Sequence, residues 1–204
     1  ASSKSWGVDY STVPYHPESP FLDKMTRKTG KTIFVTVGTT QFDKLVLSAT
    51  STLALEWMKE QGYTTLKIQY GRGTKPEICH ASSSSSPLEI ELYDFQPSLE
   101  DDMKSADLIL SHAGAGTVME ALRMNKKLVV VINTLLMNNH QTELAEAMAE
   151  RGHLYMVEEP EALNERKAWE SFQDFSPIPH QGGDPFDFPR LLDSFLGLSQ
   201  VKGD

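Results

Sequence analysis

The stretch Leu108-Ile-Leu-Ser-His-Ala-Gly-Ala-Gly-Thr-Val-Met-Glu-Ala-Leu122 decides the expected fold. Its apolar start predicts a buried strand, the small residues 113–116 predict a turn, and a helix is expected from near Thr117. The first N–H groups of a helix have no partner within the helix, and the helix dipole favours negative charge there. The stretch therefore predicts a site for a nucleotide diphosphate, with Glu120 one turn further on to accept hydrogen bonds from the ribose.

This glycine pattern is only half of a dinucleotide-binding fingerprint. Gly114 and Gly116 fit its first two glycines, but Met119 stands where a third glycine is expected. A tight strand-to-helix connection without any ligand is the alternative interpretation. His112 favours the ligand, because open α/β sheets bind ligands at the carboxyl ends of their strands. A surface or capping histidine remains the alternative for that residue.

The remaining periodicity predicts a doubly wound α/β sheet, mostly parallel and Rossmann-like. Short apolar or alternating runs indicate strands, and apolar residues at three- and four-residue steps indicate helices. The predicted strands are 32–37, 65–70, 88–93, 108–111, 128–132 and 154–157. The predicted helices are 42–61, a short one after Ser98, one from near Thr117, and 140–151. The order of these elements is typical of one domain with parallel strands.

Composition divides the 204 residues into three parts. Residues 1–30 are predicted to be an extended or disordered arm, 31–160 the ligand-binding domain, and 161–204 a Pro/Phe-rich segment followed by a helix over 188–198. The run of serines within 79–87 is expected to be a linker. A single cysteine excludes an internal disulfide, and a formal charge of −9 argues against general binding of nucleic acid. No apolar run is long enough to span a bilayer.

Four loops are expected at the same edge of the sheet, because each follows a parallel strand. They are residues 38–40, 71–73, 112–117 and 137–141. Arg72 offers a donor fork to a phosphate, with a solvated surface arginine as the alternative. Thr39 and Thr40 offer hydroxyl groups to phosphate or sugar, or else they cap the next helix. Four consecutive polar residues, 138–141, suit the hydroxyl groups of a sugar, although a simple helix cap needs only one of them.

Several familiar catalytic motifs are absent from the sequence. It has no Walker phosphate loop, no H-E-x-x-H, no paired cysteines and no G-x-S-x-G. The histidines are dispersed, so neither a metal site nor a cofactor is predicted.

Several ordered motifs together resemble one enzyme family, over residues 32 to about 157. They are Phe34-Val-Thr-Val-Gly-Thr-Thr40, Ile68-Gln-Tyr-Gly-Arg-Gly73, Ala106-Asp-Leu-Ile-Leu-Ser-His112, the stretch 111–116 with Glu120, and Met137-Asn-Asn-His-Gln141. The pattern resembles the soluble catalytic subunits of the dolichol-pathway UDP-N-acetylglucosamine (UDP-GlcNAc) transferase. It is also similar to the C-terminal, donor-binding domain of the bacterial lipid II N-acetylglucosaminyltransferase. The resemblance implies a single donor-binding half of a GT-B glycosyltransferase.

The resemblance also implies a role for each matching residue. The diphosphate is expected at the start of the helix near Thr117 and near the loops 38–40 and 71–73. The ribose is expected at Glu120 and the uracil at the backbone near Phe95 and Gln96. The GlcNAc is expected at residues 139–141. The implied donor-binding residues are Thr39, Arg72, Gln96, His112, Gly114, Ala115, Gly116, Thr117, Glu120, Asn139, His140 and Gln141. His112 is the one candidate for a catalytic role, as an aid to the leaving group; the general base is unassigned and is expected on a partner.

The activity implied by the resemblance is transfer of GlcNAc from UDP-GlcNAc to GlcNAc-diphospho-dolichol. The new β1,4 link would form with inversion, in the second step of lipid-linked oligosaccharide synthesis for N-glycosylation. A membrane-anchored subunit would bind the acceptor and hold this otherwise cytoplasmic chain at the cytosolic face of the endoplasmic reticulum. The apolar stripe of residues 188–198 is expected to contact that subunit, or else its own sheet. Two alternatives stay open: a UDP-sugar-binding module without activity, and the donor half of a sugar-nucleotide epimerase.

Overall fold

The computed structural model describes residues 30–78, 88–133 and 139–181. The strands are β1 Lys31–Thr36, β2 Tyr63–Gln69, β3 Glu89–Tyr93, β4 Leu108–His112, β5 Leu128–Val131 and β6 Tyr155–Val157. The helices are α1 Asp43–Ala49, α2 Thr52–Glu60, α3 Glu100–Ser105, α4 Ala115–Arg123, α5 Asn139–Glu150 and α6 Arg166–Asp174, with a 3₁₀ helix at Pro160–Asn164. The predicted arm 1–30 (apart from Gly30), the serine run and the helix 188–198 lie outside the described residues.

The six strands form one sheet in the order β3-β2-β1-β4-β5-β6. Every pair of neighbouring strands is parallel. The order reverses at β1, which lies between β2 and β4, so the loops after β1 and β4 separate to opposite faces of the sheet. Ligands bind at this switch point in sheets of this kind. The predicted doubly wound sheet is confirmed, and all of its strand pairs are parallel.

Helices cover both faces of the sheet and give it two cores. Ile33 and Val35 belong to the core that also contains residues of α1, α2 and α6. Phe34, between them in the strand, belongs to the core beneath α3, α4 and α5. Successive side chains of a strand point to opposite faces, so a strand buried on both faces is apolar at nearly every position. This explains the continuous apolar runs that predicted β4 and β5.

The predicted helix over 42–61 is two helices, because the backbone turns at Thr50 and Ser51. The Thr50 hydroxyl donates to the carbonyl of Val46 at 2.9 Å and so occupies an acceptor at the end of α1. The Ser51 hydroxyl accepts from the N–H of Ala54 at 3.2 Å and caps α2. Hydroxyl side chains compete in this way with helix hydrogen bonds. The apolar spacing continues across the break, which is why it predicted a single helix.

The hydrophobic spacing fades after Pro160, but residues beyond it still form part of the core. Trp169 and Phe172 of α6 are fully buried, and the indole N–H of Trp169 donates to the carbonyl of Leu163 at 2.8 Å. The rings of Trp57 and Trp169 lie 5.3 Å apart, which joins α6 to α2. Packing therefore continues well beyond residue 160, and the ring of Phe175 still contacts that of Tyr155. The division of the chain at residues 30 and 160 into three parts stays a prediction.

Across the three described ranges, no helix is both long enough and apolar enough to cross a membrane.

Candidate functional site

The switch point is built around the side chain of His112, at the end of β4. A Cβ atom added to Gly38 would lie 2.8 Å from Cε1 of this ring, and one added to Gly114 would lie 2.4 Å from Nε2. Gly38 also has a φ of +60°, which side chains disfavour. The ring therefore occupies space that two glycines leave open, one after β1 and one after β4.

His112 is a buried histidine with an unsatisfied nitrogen. Its exposed fraction is 5%, and Nδ1 has no hydrogen-bond partner among the described residues. Burial lowers the pKa of His112, and the nearby backbone of Thr36 opposes this shift only in part. The ring is therefore neutral at neutral pH, and its Nδ1 is a buried hydrogen-bonding group whose partner the described residues do not supply.

Helix α4 presents an open N-terminus beside this ring. Gly114 is its N-cap, and no side chain caps the helix. Ala115 and Gly116 are exposed, and a Cβ atom added to Gly116 would have no neighbour within 4 Å. The helix begins at Ala115, two residues before its predicted start, so the N–H groups of residues 115–117 belong to its first turn. The first N–H groups of a helix have no partner within it and can bind an anion. The strand, turn and helix start are therefore as predicted, and the bound anion stays a prediction.

A cleft of about 300 Å³ lies along the ends of β1, β2 and β3. It is lined by Gly38, Thr39, Gly71, Arg72, Asp94 and Phe95. The two glycine loops are joined directly, because the N–H of Arg72 donates to the carbonyl of Thr40 at 3.0 Å. Thr39 and Arg72, predicted from separate loops, are thus brought together.

The hydroxyl groups after β1 do not cap the next helix. Thr40 donates its hydroxyl to the carbonyl of Val37 at 2.8 Å, within its own turn. The N-cap of α1 is Phe42, which has no side-chain capping bond. Thr39 is exposed in the cleft. The capping alternative is therefore wrong for both threonines.

Asp94 and Phe95 form the far wall of the cleft, after β3. The Asp94 carboxylate accepts from the N–H of Phe95 at 2.7 Å, which fixes the turn. Phe95 is 62% exposed and presents an apolar surface beside the cleft. Gln96 is exposed next to this wall, but it does not line the cleft.

Sequence reasoning missed Gln69, the last residue of β2. It is 2% exposed, and its amide nitrogen donates to the carbonyls of Gly38 and Asp94, at 2.6 and 2.8 Å. Its place at the carboxyl end of a predicted parallel strand was the available signal for a residue near the site, although it gave no indication of these contacts.

The structure describes some of the remaining predicted residues more fully than others. Glu120 lies on α4 and is partly buried. Asn139, His140 and Gln141 begin α5, close to the predicted helix start, but their side chains lie outside the described residues. Asn133, which follows β5, donates to the carbonyl of Gln41 at 3.2 Å and holds the β5 end against the loop after β1. Within the described ranges, no group of three or more histidines, cysteines and carboxylates is placed to hold a metal ion.

Comparison with known proteins identifies the class of this fold and site. Residues 32–168 match the family described as the glycosyltransferase family 28 C-terminal domain, and the chain belongs to that family. A crystal structure of MurG from Acinetobacter baumannii has the same fold, with a TM-score of 0.51 and 18% identity; the match covers 80% of this chain and 49% of that one. The fold is therefore one half of a GT-B glycosyltransferase, as predicted.

More specific relatives share one name, UDP-N-acetylglucosamine transferase subunit ALG13. The human protein is 44% identical over 61% of this chain, and that of Yarrowia lipolytica is 30% identical over 74% of it. An NMR structure of ALG13 matches with a TM-score of 0.55 and 26% identity, over 80% of this chain and 95% of that one. The chain spans only 11% of the human relative's length, but 78% of the Yarrowia relative's. The resemblance seen in the motifs is confirmed.

Proposed function

We propose that this chain is the donor-binding subunit of a UDP-GlcNAc transferase. One observation carries the proposal: the uncapped N-terminus of α4 adjoins the buried ring of His112, whose Nδ1 has no partner among the described residues, at the switch point of the sheet. Unsatisfied donors at such a place suit a diphosphate. The relatives of this chain are named as subunits of a UDP-GlcNAc transferase, which supports UDP-GlcNAc as the donor.

The diphosphate would bind to the first turn of α4 and to the loops after β1 and β2. The N–H groups of 115–117 would donate to it, with Gly116 leaving room for its oxygens. Arg72 would reach the phosphates from the cleft, and the Thr39 hydroxyl would donate beside it. The chain has a formal charge of −9, so these local donors must provide the attraction for an anion.

The rest of the donor would extend to both sides of the diphosphate. The uracil would lie against the Asp94–Phe95 wall and be bound by backbone near Phe95 and Gln96. Glu120 would accept hydrogen bonds from the ribose. Asn139, His140 and Gln141 would bind the GlcNAc hydroxyl groups, at the start of α5.

In an inverting transfer the acceptor hydroxyl loses a proton while the bond to UDP breaks. The helix N–H groups and Arg72 would stabilise the negative charge that develops on the leaving diphosphate. His112 would act there as a neutral hydrogen-bonding group, because its pKa is lowered by burial. It is a poor general base for the acceptor hydroxyl, since Gly38 and Gly114 enclose its ring. The base would therefore come from the partner subunit.

The acceptor would be GlcNAc-diphospho-dolichol, joined through a β1,4 link in the second step of lipid-linked oligosaccharide synthesis for N-glycosylation. A membrane-anchored subunit would bring it and would keep this chain at the cytosolic face of the endoplasmic reticulum. The sequence stripe within 188–198 is the proposed contact with that subunit. Deletion of residues 188–204 is expected to abolish co-purification with the partner and to preserve UDP binding.

The test is a transferase assay with UDP-GlcNAc and the diphospho-lipid acceptor, with and without the co-expressed membrane partner. Calorimetry with UDP, UDP-GlcNAc and GDP-mannose measures donor binding separately. We expect weak binding of the two uridine ligands, little turnover by the chain alone, and transfer with the partner. Absence of UDP binding would overturn the proposal. Binding without transfer would favour a module that only binds UDP-sugars, and epimerised UDP-GlcNAc would favour an epimerase.

A further inference from the structure

Gln69 joins the ends of three neighbouring strands through one buried amide. Its nitrogen donates to the carbonyl of Gly38, after β1, at 2.6 Å, and to that of Asp94, after β3, at 2.8 Å. Its oxygen accepts from the Thr36 hydroxyl at 2.6 Å. With 2% of its surface exposed, this side chain has little access to water that could replace these bonds.

The two carbonyls that Gln69 holds belong to opposite walls of the cleft. Gly38 lies on the wall that carries Thr39, and Asp94 on the wall that carries Phe95. Thr36 adds a second tie to the first wall, because its hydroxyl accepts from the N–H of Gly38 at 3.2 Å. The distance between the walls therefore depends on hydrogen bonds made by this amide.

We infer that Gln69 is a positioning residue that sets the separation of the two cleft walls, and through it the affinity for the uridine diphosphate group. The inference deepens the proposed function and rests on it. Gln69 does not line the cleft, so it acts through Gly38 and Asp94 and does not contact the ligand.

The chemistry of the amide accounts for this role. A glutamine has two N–H donors and one carbonyl acceptor on the same planar group, and all three functions are used here. A carboxylate would direct oxygen at two carbonyl oxygens, and a methionine would leave both carbonyls and the Thr36 hydroxyl without this partner. Each replacement removes both ties between the walls.

The test compares Gln69→Met and Gln69→Glu with Thr65→Val. Thr65 is a buried residue of the same strand and face, four positions from the site, so its replacement controls for general loss of stability. Affinity for UDP is measured by calorimetry from pH 5 to 8, with the unmodified chain as the reference at each pH. Thermal unfolding of each variant shows that it is folded.

We expect at least tenfold weaker UDP binding for both Gln69 variants and unchanged binding for Thr65→Val. Relative to the unmodified chain, Gln69→Glu should recover part of its affinity as pH falls, because a protonated carboxyl can donate to one wall. Gln69→Met should show no such recovery. Near-normal UDP affinity in a folded Gln69→Met variant would overturn the inference, as would equal losses in Thr65→Val.

A ligand-free measurement separates this inference from the proposed function. Backbone amide NMR shifts of residues 38–40 and 94–96 should both change in Gln69→Met and should remain in place in Thr65→Val. If both loops shift but the unmodified chain binds no UDP, the positioning role stands and the proposed function fails. If neither loop shifts, the positioning role fails whatever the chain binds.

Discussion

Two histidines at opposite edges of the sheet have different surroundings. At the amino edge, His153 Nδ1 donates to the carbonyl of Ile178 at 2.9 Å, and its ring packs against that of His180, with centroids 5.1 Å apart. At the carboxyl edge, Nδ1 of His112 is buried without a partner among the described residues. The first histidine completes a structural contact, whereas the second has a ring nitrogen that the described residues leave without a partner.

The helix ends at the two edges differ in whether side chains satisfy their backbone groups. At the amino edge, Lys126 donates to the carbonyls of Lys104 and Ala106, at 2.5 and 3.0 Å, and Lys31 donates to that of Gln61 at 3.2 Å. Lysines thus satisfy the last carbonyls of two helices, where the dipole favours them. At the carboxyl edge no side chain caps the start of α4. The open start of α4 and Nδ1 of His112 together fit the proposed ligand site at the carboxyl edge. An unsatisfied group alone does not mark a site, because Trp57 Nε1, packed against Tyr63 at the start of β2, is also buried without a partner among the described residues.

Gly116→Val is expected to cause the largest loss of ligand affinity at the carboxyl edge. The position faces open space, so a branched side chain meets no protein atom and occupies the space where a phosphate must approach the backbone. We expect UDP affinity to fall roughly a hundredfold, about 2.8 kcal/mol, with little change in thermal stability. Calorimetry and thermal unfolding of the same sample check this result. Normal affinity would place the diphosphate away from the first turn of α4.

Glu120→Ala tests the ribose contact on the same helix. Loss of a charged hydrogen bond should weaken binding of UDP and UDP-GlcNAc by about 1.5–3 kcal/mol. The side chain is only partly buried, so the melting temperature should stay within the range of ordinary surface substitutions. Unchanged affinity with unchanged melting temperature would make Glu120 a surface residue without a role in binding.

Gly152→Ala is the matched change at the amino edge. Gly152 has a φ of +71°, and an added Cβ atom would lie 3.0 Å from the Ile178 side chain. A side chain in this conformation should lower the free energy of unfolding by about 1–2 kcal/mol. UDP affinity should not change, because the residue lies at the other end of the strands. A large loss of affinity in a folded variant would contradict the separation of the two edges.

The pH dependence of stability provides the smallest expected effect. His112 has a lowered pKa in the folded state, so below the unfolded value of about 6.5 the unfolded chain binds this proton more readily. His112 therefore contributes stability that is present above that pH and is lost as pH falls through the folded pKa. In His112→Gln, the loss of stability between pH 7.5 and 5 should be smaller. Urea unfolding at several pH values measures it, and an identical pH dependence in the variant would contradict the buried neutral ring.

The sheet could be predicted because its information is local. Apolar runs located the strands, and Gly114 and Gly116 located the turn before α4. The break at Thr50–Ser51 was missed because hydrophobic spacing continues through it. Helix α6 was missed because Trp169 and Phe172 stand among charged residues. Their core positions come from packing against distant residues, Trp57 for Trp169 and Tyr155 for Phe172.

The sequence predicted the turns of the site but not the buried hydrogen bonds that hold these turns in place. Thr39 and Arg72 follow strands of a parallel sheet, so their common edge follows from topology alone. The role of Gln69 depends on two carbonyls that lie 31 and 25 residues away in sequence. Nothing in the local pattern indicates such contacts. The sugar contacts of Asn139, His140 and Gln141 stay a prediction.

The central position of β1 has a consequence for the order of assembly during synthesis. One edge of β1 pairs with β2, and its other edge pairs with β4. The partners on β4 are about 75 residues further along the chain, as in the bond from the Thr32 N–H to the Asp107 carboxylate. Pairings across such separations form slowly, because closure of the intervening loop costs entropy before any contact forms. While the chain emerges from the ribosome, β1 to β3 can associate first, with one backbone edge of β1 still unpaired. Until β4, the strand that ends in His112, pairs with that edge, a chaperone can bind it, and other chains can pair with it and aggregate.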